Sequence, residues 1–118
     1  MYYCAMYSKE LVKGTLKTII LKLLEENDRM YGYEITQKVK ELSDGKILVK
    51  EGSLYPALHK LVDDGLLITE KESIGKRVRV YYRLTSDGKN ETVSRLEELQ
   101  DFIQTISIII SPRTAFNS

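Results

Sequence analysis

Apolar positions recur along this chain with two different periods, and the changes of period divide it. Between Lys9 and about Glu26, Val12, Leu16, Ile19, Ile20, Leu23 and Leu24 make one wide face of a 3.6-residue repeat. Lys9, Lys13, Lys17 and Lys22 lie on the other faces. That spacing predicts an amphipathic helix. Ser8 is its expected N-cap, and Glu10 sits in the first turn, where a carboxylate suits the helix dipole. Asn27-Asp28-Arg29 is turn chemistry. Tyr31-Gly-Tyr-Glu34 opens a second helix with Ile35, Val39 and Leu42 at i, i+4 and i+7, and Ser43-Asp44-Gly45 ends it. Tyr31 and Tyr33 are expected to brace this helix against its neighbours. Ile47-Leu-Val49 is a short β-prone piece.

The stretch from Gly52 to Gly65 predicts a third helix with two unlike faces. Leu54, Leu58, Leu61 and Val62 form an apolar stripe, while Ser53, Tyr55, Pro56, His59 and Lys60 lie mostly off it. Proline belongs in the first turn of a helix, so the helix is expected to start no earlier than about Gly52 or Ser53, with Ser53 as a cap. The off-stripe residues suit hydrogen bonding and stacking in a DNA groove. They equally suit an ordinary solvated surface.

From Leu66 the period drops to two. Leu66 to Glu70 reads as one strand. Val78, Val80 and Tyr82 alternate with Arg77, Arg79, Tyr81 and Arg83 in a second, with a turn over Ser73-Ile-Gly-Lys76. Tyr81 and Tyr82 therefore face opposite ways. Thr85 then caps the longest helical pattern, from about Ser86 to Ile110. Along it Val93, Leu96, Leu99, Ile103, Ile106 and Ile110 are spaced close to a heptad seam. A second copy of the chain is the expected cover for that seam; the alternative is that the helix folds back on its own domain. The expected class is mainly α with a small β hairpin. Residues 8–85 form a compact domain, 86–111 a C-terminal dimerisation helix, and 1–7 and 112–118 are tails.

Composition narrows the function. A length of 118 residues gives one small domain with an appended element. The net charge of +1 hides an asymmetry. Lys71 to Arg83 holds five basic residues and one acid, and Ser86 to Asp101 two basic residues and five acids. The basic end adjoins the third helix, which suits phosphate contacts there. Lys76, Arg77 and Arg79 are the candidate phosphate contacts, with Arg83 further down the strand. Ser53, Tyr55, His59 and Lys60 are the candidate base or sugar-edge contacts, and Tyr55 has the alternative of closing the core beside the hairpin. One cysteine, Cys4, permits no internal disulfide and fits a reducing compartment. With no long apolar run and no secretion signal, the cytoplasm is the expected location. One histidine and one cysteine far apart provide no metal-ligand spacing, and no phosphate-binding glycine loop occurs. Neither an enzyme nor a metal or other cofactor is expected.

Three motifs carry a family resemblance. Tyr31-Gly-Tyr-Glu34, Glu51-Gly-Ser-Leu-Tyr-Pro-Ala-Leu58 and Arg79-Val-Tyr-Tyr-Arg-Leu-Thr85 occur in order, and Thr85-Ser-Asp-Gly88 leads into the long helix. In these the chain resembles the short form of the PadR family of winged-helix transcriptional regulators, over about residues 10–105. The resemblance implies a winged helix-turn-helix whose hairpin is the wing and whose last helix dimerises. It implies a homodimer on a double-stranded operator, usually a repressor, with a small-molecule effector of unspecified identity. Ser53, Leu54, Tyr55 and Leu58 match the recognition-helix pattern, and Lys76, Arg77 and Arg79 the basic wing. Some members hold flat aromatic drugs between tryptophans of the long helix; this chain has no Trp. The alternative function is a winged-helix protein-interaction module that presents the long helix.

Overall fold

The computed structural model describes residues 7–112. The elements run α1 (Lys9–Glu26), β1 (Met30–Tyr31), α2 (Gly32–Leu42), α3 (Glu51–Asp63), β2 (Leu67–Ile74), β3 (Arg77–Leu84) and α4 (Ser86–Ile110). This is the expected winged helix-turn-helix with a long last helix. Cys4 and nearly all of both expected tails lie outside the described residues.

Local chemistry accounts for most boundaries. Leu11 donates its N–H to the Ser8 hydroxyl at 3.4 Å, and Gly88 to the Thr85 hydroxyl at 2.9 Å, so α1 and α4 have the caps expected of them. The end of α3 is closed by two paired bonds, Leu66 N–H to Leu61 C=O and Gly65 N–H to Val62 C=O, both 2.9 Å. The Thr85 hydroxyl also donates to the Gly65 carbonyl at 2.7 Å, which joins the end of α3 to the start of α4.

The core gathers Ile20 and Leu21 of α1, Ile35 of α2, Leu54, Leu58 and Leu61 of α3, and Leu67 of β2, all essentially free of solvent. Leu21 lies off the predicted stripe. It is buried because α1 touches α3 and β3 as well as α4, so more than one of its faces is covered.

Four expectations need correction. The sheet has three strands in the order β1-β3-β2, not two. Met30 pairs with Tyr82 and Tyr31 with Tyr81, whereas the β-prone Ile47 to Val49 forms no strand. The third helix begins at Glu51, with Lys50 at the N-cap position and no side-chain cap, so Ser53 lies within its first turn and Pro56 further in. The proline costs about 3 kcal/mol in a helix interior. Burying Leu54, Leu58 and Leu61, at roughly 1.5–3 kcal/mol each, outweighs that. Leu42, the last residue of α2, is exposed although Val39 one turn earlier is buried in the core. Tyr33 is also exposed rather than packed in the core, and Tyr31 lies in β1 against Tyr81.

Candidate nucleic-acid interface

α3 separates its faces as its spacing predicts. Leu54, Ala57, Leu58 and Leu61 are buried, while Ser53, Pro56, His59 and Lys60 are exposed. The Lys60 ammonium lies 3.1 Å from the Asp64 carboxylate, at the C-terminal end of the helix. Tyr55 lies at the edge between the faces, 36% exposed. Its hydroxyl crosses the start of α2 so closely that a Cβ on residue 32 would stand 2.5 Å from it. Gly32 is therefore the residue that lets the two helices approach. Tyr55 ties α2 to α3 and keeps one side open to solvent.

The hairpin is fully paired from Leu67 with Leu84 out to Ile74 with Arg77, and it turns through Gly75 and Lys76 alone. Gly75 has φ 62°, the positive value that the first central residue of a type II′ turn requires. Lys76 and Arg77 stand exposed at the tip. Arg79 does not: it is half-buried, its guanidinium 4.0 Å from the centre of the Tyr31 ring. Arg83 is held further down, donating to Asp28 at 3.0 Å and to Glu70 at 3.1 Å. Lys76 and Arg77 thus leave positive charge exposed at the tip, and Lys71 is exposed further along β2.

Sequence reasoning assigns Arg29 no role beyond a turn. It donates to Glu70 at 3.3 Å and also to Glu72. Its partners lie more than forty residues along the chain, so no local signal exposes it. The Arg83 guanidinium, then that of Arg29, holds the Glu70 carboxyl below the usual carboxylate range, while burial pushes the Tyr82 phenol up. The Glu70 shift predicts a pH dependence. A carboxyl lowered in the folded state contributes stability above its unfolded value of about 4.3, and that contribution is lost as pH falls through the lower folded value. Glu70→Gln should lower the urea midpoint at neutral pH, and the gap from wild type should close in acid. A gap that widens in acid contradicts the assignment.

In α4 only Gly88 and Thr92 are fully buried, Thr92 donating its hydroxyl to the Gly88 carbonyl at 2.7 Å. Of the seam residues, Leu96, Leu99 and Ile106 are half-buried, and Val93, Ile103 and Ile110 are exposed. The helix packs against α1 of its own chain, and most of the apolar side chains of its last turns remain exposed. Phe102, Ile103, Ile106, Ser107 and Ile110 line a shallow groove there. Among the described residues, no group of three His, Cys, Asp or Glu is placed to hold a metal ion, and no helix is long and apolar enough to cross a membrane.

Comparison with known proteins agrees with this geometry. Residues 20–94 match the model of the transcriptional regulator PadR-like family. A transcriptional regulator of Mycobacterium tuberculosis is 36% identical over 94 residues, which cover 77% of this chain and 84% of that protein. The structure of a Clostridium thermocellum transcriptional regulator is similar with a TM-score of 0.81 and 29% identity, covering 87% of this chain and 100% of that one. The crystal structure of Bacillus subtilis PadR in complex with operator DNA is similar with a TM-score of 0.62 and 34% identity, over 69% of this chain and 46% of that one. The Bacillus subtilis protein is named a negative transcriptional regulator.

Proposed function

The chain belongs to the transcriptional regulator PadR-like family, and on that premise we propose that it is a homodimeric, sequence-specific repressor released by a small-molecule effector. It is a DNA-binding transcriptional regulator and not an enzyme. In this reading residues 8–85 hold the operator in the cytoplasm and 86–111 dimerise. α3 enters the major groove through its N-terminal end, with Ser53 and Tyr55 leading and His59 and Lys60 behind. Lys76 and Arg77 reach phosphates beside the groove, and Arg79 supports them from the base of the wing. The name of the Bacillus subtilis relative supports the repressor half of the reading. The observation that carries the DNA half is the α3 surface. Four apolar side chains are buried on one side, a polar and aromatic set is exposed on the other, and a hairpin with a basic tip follows.

The test uses a duplex that the wild-type chain selects from a randomised pool. Replacing Lys76 and Arg77 together by alanine should weaken binding and make the log–log salt slope less negative by about 0.9 for each phosphate no longer neutralised. Unchanged DNA affinity and slope in this variant, with loss of a protein partner that the wild-type chain binds, would favour the interaction module that presents α4.

A further inference from the structure

On the outer face of the sheet, opposite buried Tyr82 and Leu84, four side chains stack in a row. The Arg29 guanidinium lies 3.8 Å from the centre of the Tyr81 ring. Tyr81 meets Tyr31 edge-on with centroids 5.6 Å apart, and the Arg79 guanidinium lies over the Tyr31 ring. From β2, Glu70 and Glu72 hold the Arg29 end through charge-assisted bonds. Strand register brings these groups together: Tyr81 pairs with Tyr31 on one side and Glu70 on the other, and Arg79 pairs with Glu72. Side chains on opposed residues share a face, so the row follows from the backbone pairing.

The row joins the wing to the recognition helix by a continuous route. Tyr31 precedes α2 and donates its N–H to the Glu34 carboxylate at 3.1 Å. Gly32, the next residue, is the one against which Tyr55 of α3 packs. Beyond Leu67 the hairpin is largely solvent-exposed: β2 is exposed except at Glu70, Val80 of β3 is half-buried against the core, and β3 becomes fully buried only at Tyr82. Exposed ion pairs and cation–π contacts contribute little to global stability. Here they add to the short β1–β3 pairing at Tyr81 and Tyr82 and reach further along the hairpin, to Glu72 and Arg79, so their consequence is the angle at which the wing leaves the domain.

We propose that this row is a positioning device for the wing: Arg29, Tyr31 and Glu72 fix the hairpin relative to α3, and Arg29 itself touches no phosphate. The inference rests on the reading of α3 and the wing as the DNA interface. It separates two kinds of basic residue on one hairpin surface. Lys76 and Arg77 act on DNA directly. Arg29 acts through Tyr81 and Glu72.

Glu72→Gln gives the sharpest test. It removes a negative charge from an exposed site, so electrostatics alone would tighten DNA binding. A positioning role requires the opposite, a loss of about 3- to 30-fold on the selected duplex. Arg29→Met should give a similar loss with the wild-type salt slope retained, whereas removal of a phosphate contact would make the slope less negative by about 0.9. Amide hydrogen exchange over β2 and β3 should rise in both single variants, and urea midpoints establish that each is folded. Tighter binding by Glu72→Gln, a reduced slope for Arg29→Met, or affinities within about twofold of wild type overturn the proposal. Failure of the wild-type chain to select any duplex would instead sink the DNA reading beneath it.

Discussion

Gly88→Ala is expected to lower the folding free energy by about 1–3 kcal/mol, the usual cost of forcing extra volume into a closed site. A Cβ on residue 88 would stand 2.0 Å from the Leu66 carbonyl oxygen and 3.0 Å from its carbon. These are backbone atoms and cannot swing aside. The same carbonyl accepts the Thr85 N–H at 3.1 Å, and the Leu66 N–H closes α3, so the segment is held from both ends. Relief requires α4 to lift from the domain, which would expose Thr92 and the Leu84 side chain that also faces Gly88. Gly14→Ala supplies the contrast. It lies within α1 with nothing within 4 Å of its added Cβ, so it should gain roughly 0.5–1 kcal/mol from helix propensity alone. Urea unfolding should show the two midpoints moving in opposite directions with unchanged slopes. A neutral Gly88→Ala would show that α4 is not seated as described.

This pair illustrates which parts of the fold are legible in the sequence. α1 and α4 have the expected bounds because caps and a 3.6-residue period are local properties, written in Ser8, Thr85 and the leucines and isoleucines between. The two faces of α3 are legible for the same reason. β1 is not, because two residues carry no period and Met30 and Tyr31 become a strand only by pairing with Tyr82 and Tyr81. Leu21 is missed because a single amphipathic stripe cannot anticipate a helix covered on several sides. At the interface, Lys76 and Arg77 stand at the tip as the strand pattern suggests. Arg79 and Arg83 read as the same kind of basic residue, yet each is engaged by a group far away in sequence. Charge counted along a strand records how many cations are present, not which of them are already satisfied.

The largest functional effect is expected from Ile103→Asp. Ile103 is 57% exposed in the single chain, so the change should leave the isolated domain folded. In the proposed homodimer it falls within the apolar end that carries Phe102, Ile106 and Ile110. Each buried apolar side chain there contributes roughly 1.5–3 kcal/mol, and an unpaired carboxylate placed among them costs more than that gain. Two-fold symmetry puts the substitution in the interface twice. Leu96 and Leu99 are already half-covered within one chain, so they cannot compensate. The variant should therefore sediment as a monomer while its circular dichroism keeps the wild-type helical signal. Its binding to the selected duplex should fall by about 10²–10⁴, the loss expected when two linked recognition helices become one. On that duplex the wild-type contacts should form two half-sites about 34 Å apart, and the monomer should protect them without coupling between them. Persistence of the dimer at its wild-type dissociation constant would remove Ile103 from the seam. A true monomer that still binds at full strength would show instead that a single α3 and wing suffice.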